Sequence, residues 1–338
     1  MMKHKGPVAL CGLLIVTALL FVASLVWGSV SIPASEVWRI LCGDAAGVPA
    51  AWCSIVVESR VPQALTALLC GAALSGAGLI LQTVFRNPLA GPSILGIDAG
   101  ANLGVAIVML LLGGVVSAGG YTLGGFALII AAALVGAMLV MLLLLVMASM
   151  LRSEVMLLIV GMMISYLTSS LISLLHFQAT GDTMRSFIVW GMGSFSSVTM
   201  DRLPYLVASV SVGLMMALLM IKPLNALLLG DRYARNLGVS VRTTRVVLLL
   251  ICGLLTATCT AFCGPVAFLG LAVPHLARLV LGSSNHRTLM PACMLTGASL
   301  ALLCNILSTL PSTSIIPINV ITPLIGAPTV IMVVMRKK

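Results

Sequence analysis

The sequence predicts an all-α integral membrane protein of about ten transmembrane helices, and three observations carry that expectation. Of its 338 residues 60% are hydrophobic and only 8% are charged, whereas a soluble domain carries about 25% charged residues. Apolar runs near the ~20 residues that cross a bilayer as a helix recur from end to end. The eighteen Lys and Arg residues gather in alternate loops, as basic residues do on the cytoplasmic side of a membrane.

Taken in order, the first run, 8–30, follows Lys3 and Lys5 and exceeds the 7–15 apolar residues of a signal peptide, so it reads as a retained span. The further spans are 62–83, 94–116, 123–150, 155–175, 203–221, 246–263, 265–281, 289–310 and 315–335, the eighth being the shortest. Between the first two lies an outer loop in which Ala34 to Leu41 reads as a short interfacial helix opening after Pro33. Cys42 and Cys53 share that loop, where an oxidising compartment would allow them to pair. Gly71 with Ser75, and Gly96, Gly100 and Gly104, have the small-xxx-small spacing that lets helix backbones approach closely. The twenty methionines then fill gaps in a tightly packed bundle.

With the N-terminus inside, fourteen basic residues fall on the cytoplasmic side, among them Lys3, Arg86, Arg152, Arg232, Arg245, Lys337 and Lys338. Four fall outside: Arg39, Arg60, Arg185 and Arg202. An even span count keeps the basic C-terminal tail inside with the N-terminus. The net charge of +10 is therefore mostly topological, and no basic run interleaved with aromatics points to nucleic acid. The nine cysteines lack zinc-type spacing, and seven lie within apolar spans, where a thiol packs as a small hydrophobe. The chain reads as a single membrane domain, 1–338, in contact with lipid.

Two longer polar stretches interrupt the spans. The segment 176–203 is too polar to cross, yet Phe187 to Trp190 is apolar enough to dip back into the protein, as a re-entrant or gate-like helix or else as a surface loop. The cytoplasmic loop 222–245 holds Leu229, Tyr233 and Leu237 four apart on one helical face, between Gly230 and Gly238, which suit helix ends. That face is open to a partner protein, or alternatively lies on the lipid surface with help from its arginines.

The chemistry-bearing residues are few. No phosphate-binding Gly-x-x-x-x-Gly-Lys-[Ser/Thr] loop occurs, so no nucleotide site of its own is expected, and no clustered acid, base or metal ligands suggest an enzyme. An ion-coupled secondary transporter, the alternative class, would keep carboxylates or histidines deep in the membrane. Only Asp98, expected near the inner end of its span and satisfied by local backbone groups, and His275, expected as a structural hydrogen-bonder, come close. Ser165, Thr168, Ser169 and Ser173 lie three and four apart and share one helical face. They either line a polar pathway or bond their own backbone at i−4. Finally, Gly91-Pro-Ser-Ile-Leu-Gly-Ile97 echoes Gly264-Pro-Val-Ala-Phe-Leu-Gly-Leu271, placed at opposite faces as an inverted repeat requires.

Arg60-Val-Pro-Gln-Ala-Leu65, Gly71 to Gly76, and above all Gln82-Thr-Val-Phe-Arg-Asn-Pro-Leu-Ala90 resemble the permeases of type II ABC importers for iron-siderophores, haem and cobalamin, the FecCD-like permeases. The Leu229 to Val239 loop, the run Gly264 to Arg278, Asn285-His-Arg287 and Pro317 to Pro328 follow in the family's order, so the likeness covers nearly the whole chain. It implies a homodimer whose axial pathway is lined by the fifth helices, hence by Ser165, Thr168, Ser169 and Ser173. It implies two ATPase subunits, which carry ATP and Mg, docked on Leu229, Gly230, Asp231, Ala234, Leu237 and Gly238. It further implies a periplasmic binding protein that meets Arg60, at a site where Gln63 and Thr309 stand in place of family arginines and Arg185 or Arg202 could substitute. Arg86, Asn87, Pro88, Gly264, Pro265, Pro274, His275 and Arg278 are its structural motif residues. A metal chelate is the implied cargo and the bacterial inner membrane the implied location, with no cofactor held by this chain.

Overall fold

The computed structural model describes residues 5–44, 46–113, 115–118, 121–150, 154–310 and 315–336; of the basic residues named above, Lys3, Arg152, Lys337 and Lys338 lie outside the described residues. The chain runs through α1 (Lys5–Val26), α2 (Ala34–Leu41), α3 (Ala50–Ser54) and a π-helical turn (Ile55–Arg60) into α4 (Val61–Val84). After a loop come α5 (Ile97–Ala106), extended by a π-helical turn to Leu111, then the strands β1 (Val115–Ala118) and β2 (Tyr121–Gly124). There follow α6 (Phe126–Met150), α7 (Glu154–Gln178), α8 (Gly181–Gly191), α9 (Leu203–Leu219), α10 (Ile221–Leu228) and α11 (Asp231–Asn236). The fold closes with α12 (Val241–Cys263), α13 (Leu269–Leu281), α14 (His286–Thr309) and α15 (Ile318–Arg336).

Six helices are long and apolar enough to span alone, the pair α9 and α10 forms one span bent by 50°, and α5, α13 and α15 are shorter apolar helices. Six, one and three make the ten spans the hydropathy predicts. The departures are local. The third span stops at Leu111, and Val115 pairs with Gly124 and Ala118 with Tyr121 in an antiparallel hairpin, which the apolar run 94–116 did not betray. The helix after Pro33 forms as expected, with Val37 and Ile40 buried beneath it. Cys42 and Cys53 are both free thiols.

The core is built around α4, which packs on α14, α12, α13 and α9. Its small residues are the cause. A methyl group on Gly71 would strike the carbonyl of Gly297 on α14, and one on Gly78 the carbonyl of Gly270 on α13, so these backbones touch without side chains between them. Gly100 and Gly104 meet α6 in the same way, at Gly136 and Ala132. By contrast α1, α6 and α7 leave most of their surface outside the bundle, as lipid-facing or partner-facing helices do.

The two echoed motifs do not sit a bilayer apart, as the sidedness argument placed them. Gly91 lies beside Leu271, and Pro92 beside Gly270. Each motif is a loop that folds back from its own face, so that α5 and α13 start inside the bundle and are short for that reason. The inverted relation survives, since α5 then runs outward and α13 inward, but its two halves meet.

Candidate functional site

At the cytoplasmic end, α10 and α11 meet at Gly230, whose φ of 104° is a conformation that favours glycine. Gly238 closes α11 at φ 81°. Leu229, Tyr233 and Leu237 are exposed by 63%, 54% and 58%, so the predicted apolar face does point away from the bundle. Ala234 does not belong to it. It lies about 100° round the helix from Tyr233 and is fully buried, so it seats α11 on its own chain and offers no surface to a partner.

Asp231 also turns inward and binds two arginines. Its carboxylate accepts from Arg86 and from Arg245 on α12, at 3.1 Å. Arg86 stands just beyond α4 with φ 44°, a left-handed conformation that costs a residue with a Cβ about 1 kcal/mol or more. From there the network continues into the membrane. Arg278 donates to Gln82 at 2.6 Å, Gln82 donates to the Leu271 carbonyl, and a His275 ring nitrogen lies 2.8 Å from the Pro88 carbonyl oxygen. His286 joins Thr83, at 2.8 Å, to Asn225 on α10. The motif residues Arg86, Pro88, His275 and Arg278 are thereby brought into one assembly that ties α11 to α4, the first re-entrant loop and α13. Asn87 holds the turn itself, accepting from the Leu89 amide.

In the interior the expectation for Asp98 needs correction. It is bonded by side chains, with Ser93 donating at 2.8 Å and Thr260 at 3.0 Å, and its backbone neighbours are not its partners. Thr260 lies 19 residues along α12 from its cytoplasmic start, about 28 Å, so Asp98 is deep within the bundle. A cavity of about 150 Å³ between the two re-entrant motifs opens beside it. The second motif is strained there, with Phe268 at φ 67°. Gly264 meets Gly193, and the Pro265 carbonyl accepts from Asn319, while Pro274 sits inside α13.

The four hydroxyls of α7 divide. Thr168 is buried and bonds the Ile164 carbonyl at i−4, and Ser165, half-buried, bonds Gly161 and faces the loop at Gly96. Ser169 and Ser173 are exposed, on a surface shared with Met162 and Tyr166. Ser173 bonds its own helix at Ser169, so the two readings of these residues are compatible for it.

On the outer side, the predicted docking residues are interior. Arg60 is 5% exposed and donates to the Leu25 and Val26 carbonyls, which end α1 without helical partners, and to the Val30 carbonyl in the loop beyond. Gln63 donates to Asn305 at 2.9 Å, Asn305 to Ser24, and Thr309 bonds its own helix. Of the other outer arginines, Arg39 pairs with Glu36 and Asp44, Arg202 stacks on Phe126, and Arg185 is exposed on α8. That helix packs Phe187 against His176 and Trp190. Buried nitrogens of His176 and Trp190 have no partner among the described residues, which nothing in the sequence signalled.

Residues 14–336 match the FecCD transport family. The chain is 35% identical to the vitamin B12 import system permease protein of Klebsiella pneumoniae over 86% of each chain. It is 32% identical to the molybdate import system permease protein of Haemophilus influenzae over 97% of this chain and 95% of that one. A solved structure described as an inward-facing metal-chelate type ABC transporter superposes with a TM-score of 0.84 at 29% identity, over 98% of this chain and 99% of the other.

Proposed function

The chain belongs to the FecCD transport family, a family of ABC transporter permeases, and we propose that it is the permease of a bacterial inner-membrane importer that takes up a ferric siderophore, haem or cobalamin. The observation that carries this reading is the link from an exposed apolar helix to the core. Leu229, Tyr233 and Leu237 face outward on α11, while Asp231 of the same helix grips Arg86 and Arg245. A partner that pushes on the exposed face moves the ends of α4 and α12 with it.

Two ATPase subunits bind that face and hold the ATP and Mg, because this chain carries no phosphate loop. Two copies of the chain form a homodimer along the little-buried face of α7, whose Ser169 and Ser173 line the axial pathway. The α8 segment within 176–203 closes that pathway on the periplasmic side, where a binding protein delivers cargo. The vitamin B12 and molybdate relatives both carry metal-bearing cargo, which supports such a cargo here, and the molybdate relative gives a second reading, a metal oxyanion.

The test is co-purification with an ATPase subunit from the same organism's ABC importers, then uptake into proteoliposomes with vitamin B12, haemin, a ferric siderophore or molybdate. A two-plus-two complex whose uptake of one of these requires ATP hydrolysis and binding protein supports the reading and names the cargo. Solute movement on an ion gradient without ATP overturns it and makes Asp98 the residue to examine.

A further inference from the structure

A second cavity, about 650 Å³, opens on the outer half of the bundle between α6, α9 and α12, away from the re-entrant motifs and from α7. Its walls are mostly apolar, interrupted by the hydroxyls of Thr258 and of Ser209, which bonds its own helix at Tyr205. On α6 the walls run from Phe126 to Leu134, and on α12 from Phe262 back to Leu254; eight residues of helix make each wall about 12 Å deep. Phe126 and Phe262 meet edge to face at the mouth, with centroids 6.1 Å apart. Polar groups cluster at that same mouth, where Arg202 and Tyr205 begin α9.

Arg202 is the informative group. Its guanidinium carbon lies 3.8 Å from the centre of the Phe126 ring, and among the described residues it makes no ion pair, although the exposed Asp201 is its neighbour in sequence. A guanidinium held over an aromatic ring spends no N–H donor on that contact, so the donors of Arg202 stay available at the mouth of the groove. Tyr205 beside it is 71% exposed, at the level where tyrosines meet headgroups. A groove with one cation at the rim and hydrocarbon walls below complements a molecule with one anionic group above a long apolar chain.

We infer that this groove is a binding site for a glycerophospholipid of the outer leaflet, with the phosphate on Arg202 and an acyl chain between α6 and α12. A hydrophilic chelate does not suit walls of this kind. An apolar helix from a second copy would cover Arg202 without supplying an anion, leaving a charge unpaired in a dry interface.

Competition measures this on the full-length chain. The detergent-purified protein is incubated with dimyristoyl phosphatidic acid and dimyristoylglycerol, which share their chains and differ in the phosphate, and retained lipid is counted by native mass spectrometry. The wild type should keep one phospholipid per chain in about tenfold preference to the diacylglycerol, the scale of one charge-assisted contact. Arg202→Gln should abolish that preference and Arg202→Lys should keep part of it, while Leu134→Trp should reduce retention of both lipids. Equal retention of the two lipids by the wild type, which needs no variant to fold, overturns the site as an adventitious groove. Undiminished phospholipid retention by Arg202→Gln, with an unchanged melting temperature, overturns the role of Arg202.

Discussion

The cytoplasmic and outer ends of this molecule both use arginine, in opposite ways. Inside, Arg86 and Arg245 reach across helices to one carboxylate, Asp231, and Arg278 reaches Gln82, so side chain holds side chain and separate elements move as one. Outside, Arg60 gives its guanidinium to three backbone carbonyls around the end of α1, and Arg39 is committed to Glu36 and Asp44 within its own loop. The hydrogen bond from Arg39 to Asp44 raises the arginine's hold on its proton above the ordinary value. Sidedness counts place an arginine at one face of a membrane, but not on the inside or the outside of the protein at that face. The inner set suits transmission, and the outer set suits fixing ends in place.

The largest effect expected from that contrast is at Asp231. Asp231→Asn keeps the shape of α11 and removes the charge that both arginines bind, so ATP-driven uptake by the assembled complex should fall at least tenfold. The carboxylate is about a third exposed, and ion pairs of that kind contribute about 1 kcal/mol or less to stability, so the melting temperature should hardly move. Uptake and ATP hydrolysis, measured on the same proteoliposomes, separate the cases. Hydrolysis that continues without transport marks a broken link, whereas undiminished uptake would mean that α11 transmits through its apolar face alone.

Arg60 should show the reverse pattern. Arg60→Ala strips the donors from three carbonyls in a site that is 5% exposed, and hydrogen bonds to a charged group are worth about 1.5–3 kcal/mol each. Because the three bonds share one guanidinium their contributions do not add in full, and a loss of roughly 2–4 kcal/mol of stability is expected, read as a lower melting temperature. The folded remainder should bind its periplasmic partner with unchanged affinity. A weaker partner affinity at an unaltered melting temperature would return Arg60 to a docking role and erase the contrast between the two ends.

How far the sequence carried depended on whether a feature is local. Ten spans, the helix after Pro33 and the exposed face of Leu229, Tyr233 and Leu237 follow from hydropathy and helical period, which act over a few turns. The close contacts at Gly71, Gly100 and Gly104 were legible as small-residue spacing, though not their partners Gly297, Gly136 and Ala132. What escaped was set by contacts distant in sequence. Asp98 is deep because the loop before it folds back to meet Thr260, 162 positions away. Arg60 is interior because α1 ends beside it, and Ala234 is buried because α11 must rest on something. The family likeness marks such residues as a pattern without saying which way each one faces, so motif membership did not separate Asp231 from Ala234 or show that Arg60 faces inward.

Arg185 provides the smallest and sharpest test, since its exposed side chain is, like the inner set, available to another protein element. It stands exposed on α8, one turn after Asp182, and no ion pair to it occurs among the described residues. If the periplasmic partner presents acidic residues, Arg185→Glu should weaken docking by about fivefold, the scale of a single exposed ion pair, and leave the melting temperature unaltered. The loss should shrink as salt is raised, because exposed charges are screened over about 8–10 Å at ordinary ionic strength. Titration of the binding protein onto the reconstituted permease at low and at high salt reads both effects. A fivefold loss that vanishes in salt would give the outer face one arginine that docks a protein partner. Equal affinity at both salt concentrations would leave Arg185 without a part in docking, which shape and apolar contact would then carry.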